Sequence, residues 1–182
     1  MKALGNEYEN AKASTGEFTR LPAGGYIAEI KAVEDKADKE YLAITFDIAS
    51  GEFKGFYSDE WGQAHPYAHQ FVRSYKDKAL GMFKGFLQAI DKSNGTKFEA
   101  QAKTGLNERD LVGKRIGVVI GYEEYNSDRG EVRERSRVTA TRSVEAIERG
   151  DFKVPELKKL AAPAGPAPEG FENINPDELP FF

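Results

Sequence analysis

The sequence predicts a mainly β fold with helices, of the α+β class, and three patterns carry this prediction. Residues 41–49 alternate apolar and polar side chains, as a half-buried strand does. Residues 114–125 and 131–142 alternate similarly on either side of the turn sequence at residues 126–130, which indicates a β-hairpin. Residues 76–92 carry an apolar stripe with helical spacing. Together these patterns predict a sheet with one packed helix.

The first half of the chain predicts three strands. Residues 21–25 form a turn sequence, and a strand follows over residues 26–33. The strand at residues 41–49 comes next, and a hairpin turn at residues 50–52 leads to a third strand from residue 53 to about 61. Period two places three aromatic residues on one face of that third strand: Phe53, Tyr57 and Trp61.

The helical elements follow from spacing and capping residues. Residues 65–71 predict a loop that enters a short helix, and Asn94-Gly95 is typical of the end of the longer helix. A short helix is expected over residues 107–111, and Ser143 is a suitable N-cap for a helical turn over residues 143–149. The apolar stripe of the longer helix consists of Ala79, Met82, Phe83, Phe86, Leu87 and Ile90, and we also expect Phe46 and Phe56 in the core.

The order of three strands, a helix and a hairpin is that of an OB-fold, a partly open five-stranded Greek-key barrel. Other small α+β sheets share this order, so the pattern leaves them open. We expect four segments along the chain: an N-terminal arm (1–20), an OB-fold-like binding domain (21–154), a linker rich in Pro and Ala (155–169) and a disordered tail (170–182).

The tail combines acidic and aromatic residues and has no Lys or Arg. Its two prolines oppose a helix and a central strand. Apolar side chains at such an end need a pocket, either within this protein or on a partner. The residues expected to bind a partner are Asp177, Glu178, Leu179, Pro180, Phe181 and Phe182.

Composition excludes several classes of protein. The chain has no Cys, which excludes a disulfide framework and a thiolate zinc site and fits a reducing cytosol. No apolar run approaches the roughly 20 residues that span a bilayer, so we expect a soluble protein of the cytoplasm without a membrane partner. Lys+Arg 26 against Asp+Glu 30 gives a net charge of -4. That total does not exclude nucleic acid, because a polyanion responds to a local basic patch.

The fifth predicted strand carries the sharpest candidate site. Arg133, Arg135 and Arg137 alternate, so all three project from one face, where their charges repel each other. Glu131 and Glu134 cannot fully relieve this repulsion, since Glu134 points to the opposite face. A polyanion would relieve it. The alternative is a solvated strand face whose arginines pair with acids on a neighbouring strand.

Aromatic rings near these and other cations favour single-stranded nucleic acid, whose bases stack on such rings in basic grooves. The candidate nucleic-acid-binding residues are Tyr57, Trp61, Tyr67, Arg73, Tyr75, Lys76, Lys78, Arg115, Tyr122, Tyr125, Arg129, Arg133, Arg135 and Arg137.

Catalytic motifs are weak in this sequence. His65 and His69 have i, i+4 spacing, and Asp59 and Glu60 are near, but Pro66 places His65 at or before a helix start. A metal-dependent nuclease would need these four groups to converge, and surface or capping roles for the histidines are the simpler interpretation. There is no phosphate-binding glycine loop and no Gly-x-Ser-x-Gly elbow. We therefore expect neither an enzyme, a metal site nor a cofactor.

Two stretches resemble known families. The tail, with acids followed by Leu179, Pro180 and terminal Phe, resembles the acidic tip of bacterial single-stranded DNA-binding proteins, although it has a second Phe and only two adjacent acids. Residues 21–26, 51–55, 73–76 and 79–86, with Arg142-Ser143-Val144 and residues 150–155, resemble a family of phage proteins from Gram-positive hosts, and the resemblance spans roughly residues 21–159. That family, long catalogued as a domain of unknown function, is associated with phage replication and recombination genes.

The resemblance implies a single-stranded DNA-binding protein that acts in the bacterial host cytoplasm during phage DNA replication or recombination. The implied partners are single-stranded DNA and, through the tail, replication or recombination proteins; homo-oligomers are compatible with it. The rival expectation is a protein-interaction adaptor or inhibitor whose OB-like core does not bind DNA.

Overall fold

The computed structural model describes residues 20–58, 62–63 and 65–160. The strands are β1 (Gly24–Lys36), β2 (Tyr41–Ile48), β3 (Gln70–Ser74), β4 (Arg115–Asn126) and β5 (Val132–Arg142). The α-helices within these residues are α1 (Leu80–Asn94), α2 (Phe98–Gln101) and α3 (Val144–Glu148). Short 3-10 turns lie at Ala37–Lys39, Pro66–His69, Asp77–Ala79 and Glu108–Leu111.

The five strands form one antiparallel sheet in the order β3-β2-β1-β4-β5, with α1 between β3 and β4 along the chain. This OB-like α+β fold confirms the predicted fold class. The sheet is open between its edge strands, β3 and β5. Arg73 Nη2 lies 3.5 Å from Thr141 Oγ1, and Ser136 Oγ lies 3.5 Å from the Ala68 carbonyl oxygen, so the two edges face each other across a seam.

The core lies between one face of the sheet and α1. Strand β2 contributes Leu42, Ile44, Phe46 and Ile48 to it. Helix α1 contributes Phe86, Leu87 and Ile90, as its helical spacing predicts. Met82 is an exception in the predicted stripe, because its side chain is 68% exposed. Gly95 caps the end of α1 with a left-handed φ of 66°, which confirms the end predicted from Asn94-Gly95.

The predicted third strand at residues 53–61 is wrong in its described part, since residues 51–57 form turns. Gly51 and Gly55 have positive φ angles of 84° and 73°, and the buried carboxylate of Asp47 accepts hydrogen bonds from the backbone N–H groups of Ile48 and Tyr57. These turns fold the aromatic side chains of the segment towards the core, where they cannot alternate as a strand would.

The observed third strand lies at Gln70–Ser74, which overlaps the region predicted as a loop entering a helix. Two features of this segment explain why the sequence did not predict it as a strand. It has only five residues, and Arg73 occupies an inward position that usually carries an apolar side chain, with Phe71 as the other inward residue.

The second face of the sheet is covered by α3 and the segment that follows it. Ser143 Oγ accepts a hydrogen bond from the Ala146 N–H, which confirms the predicted cap of α3. Three glycines of β1 and β4 lie directly beneath apolar side chains of this region, and a Cβ at any of them would collide with its neighbour. The pairs are Gly117 with Ile147, Gly25 with Phe152, and Gly121 with Pro155.

Residues 155–160, which the sequence placed in the linker, lie beside β4. Lys158 forms an isolated parallel bridge with Glu123. Its N–H donates to the Tyr122 carbonyl at 3.0 Å, and its carbonyl accepts from the Glu124 N–H at 2.9 Å. The rest of the linker and the tail lie outside the described residues.

Candidate functional site

Two cavities lie along the seam, which is the gap between the edge strands β3 and β5. The larger one, of about 1020 Å³, lies on the side of Tyr67 and Tyr122. The smaller one, of about 510 Å³, lies between α1 and the C-terminal part of β5. Arg73 lines both of them, so its guanidinium stands where the two cavities meet.

Arg73 is a buried cation with few partners that stabilise its charge. Its residue is 7% exposed, and its Nε has no hydrogen-bond partner. Nη1 donates to the carbonyl of the adjacent Val72 at 2.9 Å, and Nη2 reaches only the Thr141 hydroxyl, at 3.5 Å. In the described part of the chain no carboxylate pairs with it, and burial alone lowers the pKa of Arg73 to about 10.

The rings of Phe71 and Phe86 provide what stabilisation this cation receives. The Cζ atom of Arg73 lies 4.7 Å from the centroid of the Phe71 ring and 5.9 Å from that of Phe86. A desolvated guanidinium without an anion is unfavourable, and an anion that entered the seam would offset that cost. Arg73 therefore places at the seam a cation that is held by packing and has no anionic partner in the described residues.

The arginine row of β5 is more neutralised than the sequence suggested. Arg133, Arg135 and Arg137 do share one face, but Glu123 of β4 accepts from Arg135 at 2.8 Å and from Arg137 at 2.7 Å. Arg133 pairs with Glu131 at 2.7 Å. The hydrogen bonds from Arg137 and Arg135 lower the pKa of Glu123, so it stays ionised. Acids on the same and the neighbouring strand thus pair with the row, as the alternative interpretation held.

The arginine row nevertheless keeps a positive balance and remains accessible. Two carboxylates, Glu123 and Glu131, face three guanidinium groups, and each of the three arginine side chains is about half exposed. The Arg133–Glu131 pair is exposed on both sides and is worth little, so a phosphate can replace Glu131 at small cost. Glu123 is only 13% exposed, so Arg135 and Arg137 would contact a phosphate with the exposed N–H groups that Glu123 does not use. Arg135 and Arg137 also line the larger cavity.

The candidate aromatic residues fall into accessible and inaccessible groups. Tyr67 is 84% exposed at the rim of the larger cavity, so its ring face is open to a base. Tyr125 lies under Arg135, whose Cζ is 5.2 Å from the ring centroid. Tyr57, by contrast, is 4% exposed and stacks on His69, with centroids 4.8 Å apart. Burial raises its pKa, and its ring has no free face for a base.

Tyr122 is held by the N-terminal end of the described chain. Its hydroxyl donates to the Leu21 carbonyl, and the Arg20 guanidinium lies 4.2 Å above the centroid of its ring. Arg20 in turn pairs with Glu134 at 2.7 Å. One face of the Tyr122 ring is therefore covered by a cation that itself lines the larger cavity.

The other sequence candidates lie outside both cavities. Lys76 and Lys78 precede α1, Arg115 begins β4, and Arg129 lies in the turn between β4 and β5; all four are exposed. Tyr75 donates its hydroxyl to Asp35 at 2.8 Å, which raises the pKa of Tyr75 to about 12. Trp61 lies outside the described residues, as does every residue of the tail.

The cavity-lining residues that sequence reasoning missed include five charged ones that bear on anion binding. Two of them, Arg20 and Lys92, have no local signal, because the arm and the last turn of a helix look like ordinary solvated surface. Arg142 and Arg149 lie beyond the three alternating arginines. Only the positions of β5 and α3 in the assembled fold show that these two residues line a cavity. The fifth is Glu123, whose opposition to Arg135 depends on the register of the hairpin.

The histidines do not form a metal site in the described residues. His69 is buried, with Nδ1 2.7 Å from the Phe46 carbonyl oxygen and Nε2 3.2 Å from that of Gly62. No three His, Asp or Glu side chains in the described ranges come close enough to hold an ion. Asp59 and Glu60 lie outside those ranges.

No protein-family model matches this chain, and a comparison with curated proteins finds no match either. None of the helices in the described part of the chain has the length and apolar character that a membrane crossing requires. Arguments about function therefore rest on the seam and its side chains.

Proposed function

We propose that this protein binds single-stranded DNA along the seam between β3 and β5, without strong sequence preference. The observation that carries the proposal is Arg73, a buried guanidinium with an unpartnered Nε at the junction of two cavities. Its cost to the fold is explained if it binds a phosphate, since charge-assisted hydrogen bonds to phosphate are the strong ones.

The surroundings of Arg73 favour a single strand over a duplex. Arg135 and Arg137 supply further phosphate contacts at the larger cavity, and Tyr67 presents an open ring at its rim. Stacking requires a base whose face is free, which a single strand offers and a duplex hides. The absence of a base-reading pattern among these side chains agrees with sequence-tolerant binding.

The role of this binding would be that of a phage-type protein in DNA replication or recombination. The resemblance of residues 21–159 to the phage family supports this role, and the acidic-aromatic tail would recruit partner enzymes. Pro180 and the two terminal Phe residues would supply the contact with the partner's pocket. The domain would hold the strand while the tail binds the enzyme.

Fluorescence anisotropy with labelled oligo-dT tests the binding. We expect saturable binding in low salt, with a steep loss of affinity as salt rises, because phosphate contacts release counterions. Changing Arg133, Arg135 and Arg137 together to Ala should lower the slope of log K against log salt by up to about 2, at roughly 0.7 for each single-strand phosphate that these arginines neutralise. The absence of saturable binding by the unchanged protein would refute the proposal.

The matched control is a second triple variant, in which Lys97, Lys103 and Arg109 are changed to Ala. These three cations are exposed and line neither cavity. The control removes the same total charge as the β5 variant. Equal slopes for the two variants would show that binding follows net charge and not the seam.

The second candidate function is a protein-interaction module, and the exposed apolar side chains at the seam favour it. Val72 is 53% exposed and Met82 68% exposed, and both line the larger cavity. The open edges of β3 and β5 could pair with an extended acidic peptide by strand addition. An acidic peptide that binds where oligo-dT does not would establish this function instead.

A further inference from the structure

The smaller cavity is the more strongly positive part of the seam. Arg73, Lys92, Arg142 and Arg149 line it, and Asp151 is the one carboxylate in its lining. In the larger cavity, by contrast, two carboxylates of the lining pair directly with arginines. A second polyanion contact is therefore least opposed on the α1 side of Arg73.

The cations of the smaller cavity are weakly held. Arg142 Nη1 donates only to a backbone carbonyl, that of Thr141, at 3.0 Å. Arg149 pairs with Glu145 at 3.2 Å, but both side chains are mostly exposed, and such a pair contributes little. These side chains can turn towards a phosphate without breaking a strong interaction.

The wall of the smaller cavity that α1 forms leaves room for a ligand to approach the helix closely. Gly85 of α1 lines it, and the space where a Cβ would stand is empty. Gly81 of the same helix also has empty space at its Cβ position, so what sets Gly85 apart is that its space opens into this cavity. Arg73 lies on the opposite wall of the cavity, and its buried, unpartnered Nε is a second indication that a ligand binds here.

We infer that the smaller cavity is a second phosphate-binding subsite for the same single strand. The strand runs along the larger cavity, passes Arg73 and continues between α1 and β5, where Lys92, Arg142 and Arg149 bind further phosphates. Gly85 leaves room for the sugar-phosphate backbone beside the helix. This inference rests on the proposed function. It specifies the path of the bound strand across the protein and predicts a longer binding site than the larger cavity alone provides.

Length dependence tests the subsite. Binding of an oligo-dT series would be measured by anisotropy for the unchanged protein and for the Lys92→Ala, Arg142→Ala, Arg149→Ala triple variant. For the longest oligonucleotides we expect the variant to lower the salt slope by up to about 2, at roughly 0.7 for each neutralised phosphate. For the shortest oligonucleotides that bind, which the larger cavity and Arg73 can hold alone, the slope should not change.

A single substitution gives a second test that does not depend on removing cations. Gly85→Glu places a carboxylate beside the subsite and improves helix propensity, so the fold should be preserved. Its matched control is Gly85→Gln, with nearly the same shape and no charge. We expect Gly85→Glu to weaken binding of long oligonucleotides by about tenfold relative to Gly85→Gln, because its carboxylate repels a neighbouring phosphate, and to leave the shortest ones unaffected.

The outcomes separate the two proposals. If the triple variant and Gly85→Glu behave like their controls at every length while the unchanged protein binds, the subsite is refuted and DNA binding along the larger cavity stands. The Lys97, Lys103 and Arg109 triple variant is the control for total charge. If the unchanged protein binds no oligonucleotide in low salt, both proposals fail.

Discussion

Replacing Arg73 by Met should make the fold more stable and DNA binding weaker. Burial lowers the pKa of Arg73 well below its ordinary value, to about 10, which corresponds to roughly 3 kcal/mol of unfavourable desolvation for the charged form. Because the folded-state pKa is depressed, this cost is present at every pH below about 10 and disappears only as the pH rises towards the higher pKa of the unfolded state. At neutral pH the full cost applies.

The net gain from Met is smaller than that cost, because the arginine also has favourable contacts with Phe71, Phe86 and the Thr141 hydroxyl. We expect the free energy of unfolding to rise by about 1–3 kcal/mol, in line with apolar replacements of buried charges. The melting temperature of a chain of this size should then rise by about 3 °C per kcal/mol. Affinity for oligo-dT should fall by about 10- to 100-fold, the equivalent of one charge-assisted hydrogen bond of about 1.5–3 kcal/mol.

The assays are thermal unfolding followed by circular dichroism and oligo-dT anisotropy at one fixed salt concentration. Arg73→Lys is the control, since it keeps a charge and loses the planar fork that contacts two groups at once. It should bind more tightly than Arg73→Met and melt no higher than the unchanged protein. A melting temperature that drops by several degrees in Arg73→Met, or an unchanged affinity, would refute the argument that this cation is kept for a ligand.

Four further results are expected from the structure. Gly117→Ala should lower the free energy of unfolding by about 1–3 kcal/mol, because its Cβ would collide with Ile147 and lie 3.0 Å from two backbone carbonyl oxygens; an unchanged urea midpoint would contradict this. Glu123→Gln should tighten oligo-dT binding in low salt and steepen the salt slope, because it frees the two arginines that Glu123 joins; weaker binding would show that Glu123 positions them instead. Tyr67→Ala should weaken binding by about 1–3 kcal/mol if the exposed ring stacks on a base, whereas Tyr67→Phe should bind normally. Deleting residues 177–182 should leave oligo-dT binding intact or slightly stronger, since the tail's charge competes with DNA, and clear weakening would place the tail in the binding site.

Periodicity predicted the parts of the fold that depend on local patterns. The strand at Tyr41–Ile48, the hairpin of β4 and β5, the body of α1 and the cap at Ser143 all follow from spacing and end residues, and all are confirmed. The third strand was missed because it has only five residues and carries Arg73 at an inward position. Residues 53–57 were wrongly predicted as a strand because the hydrogen bond from the Tyr57 N–H to Asp47, which helps to hold them in turns, is not visible in their own sequence. A carboxylate that organises a segment ten residues away leaves no pattern in that segment.

The sequence indicated several residues of the candidate site but not how they are arranged in space. Alternation correctly placed Arg133, Arg135 and Arg137 on one face, but it could not supply the partner strand that carries Glu123. Arg73 was selected only as a cation near an aromatic residue. Its importance comes from burial and from the gap between two edge strands, and both are properties of the assembled sheet.

The arginine row of β5 has one more consequence, for association between copies of this protein. The outer edge of β5 presents backbone groups that could pair with another strand, and charged side chains along such an edge discourage that pairing. The residues that we propose to bind DNA at the seam would therefore also protect it from self-association. Variants that neutralise Arg133, Arg135 and Arg137 should be checked for aggregation by light scattering, since they would lose both DNA affinity and this protection.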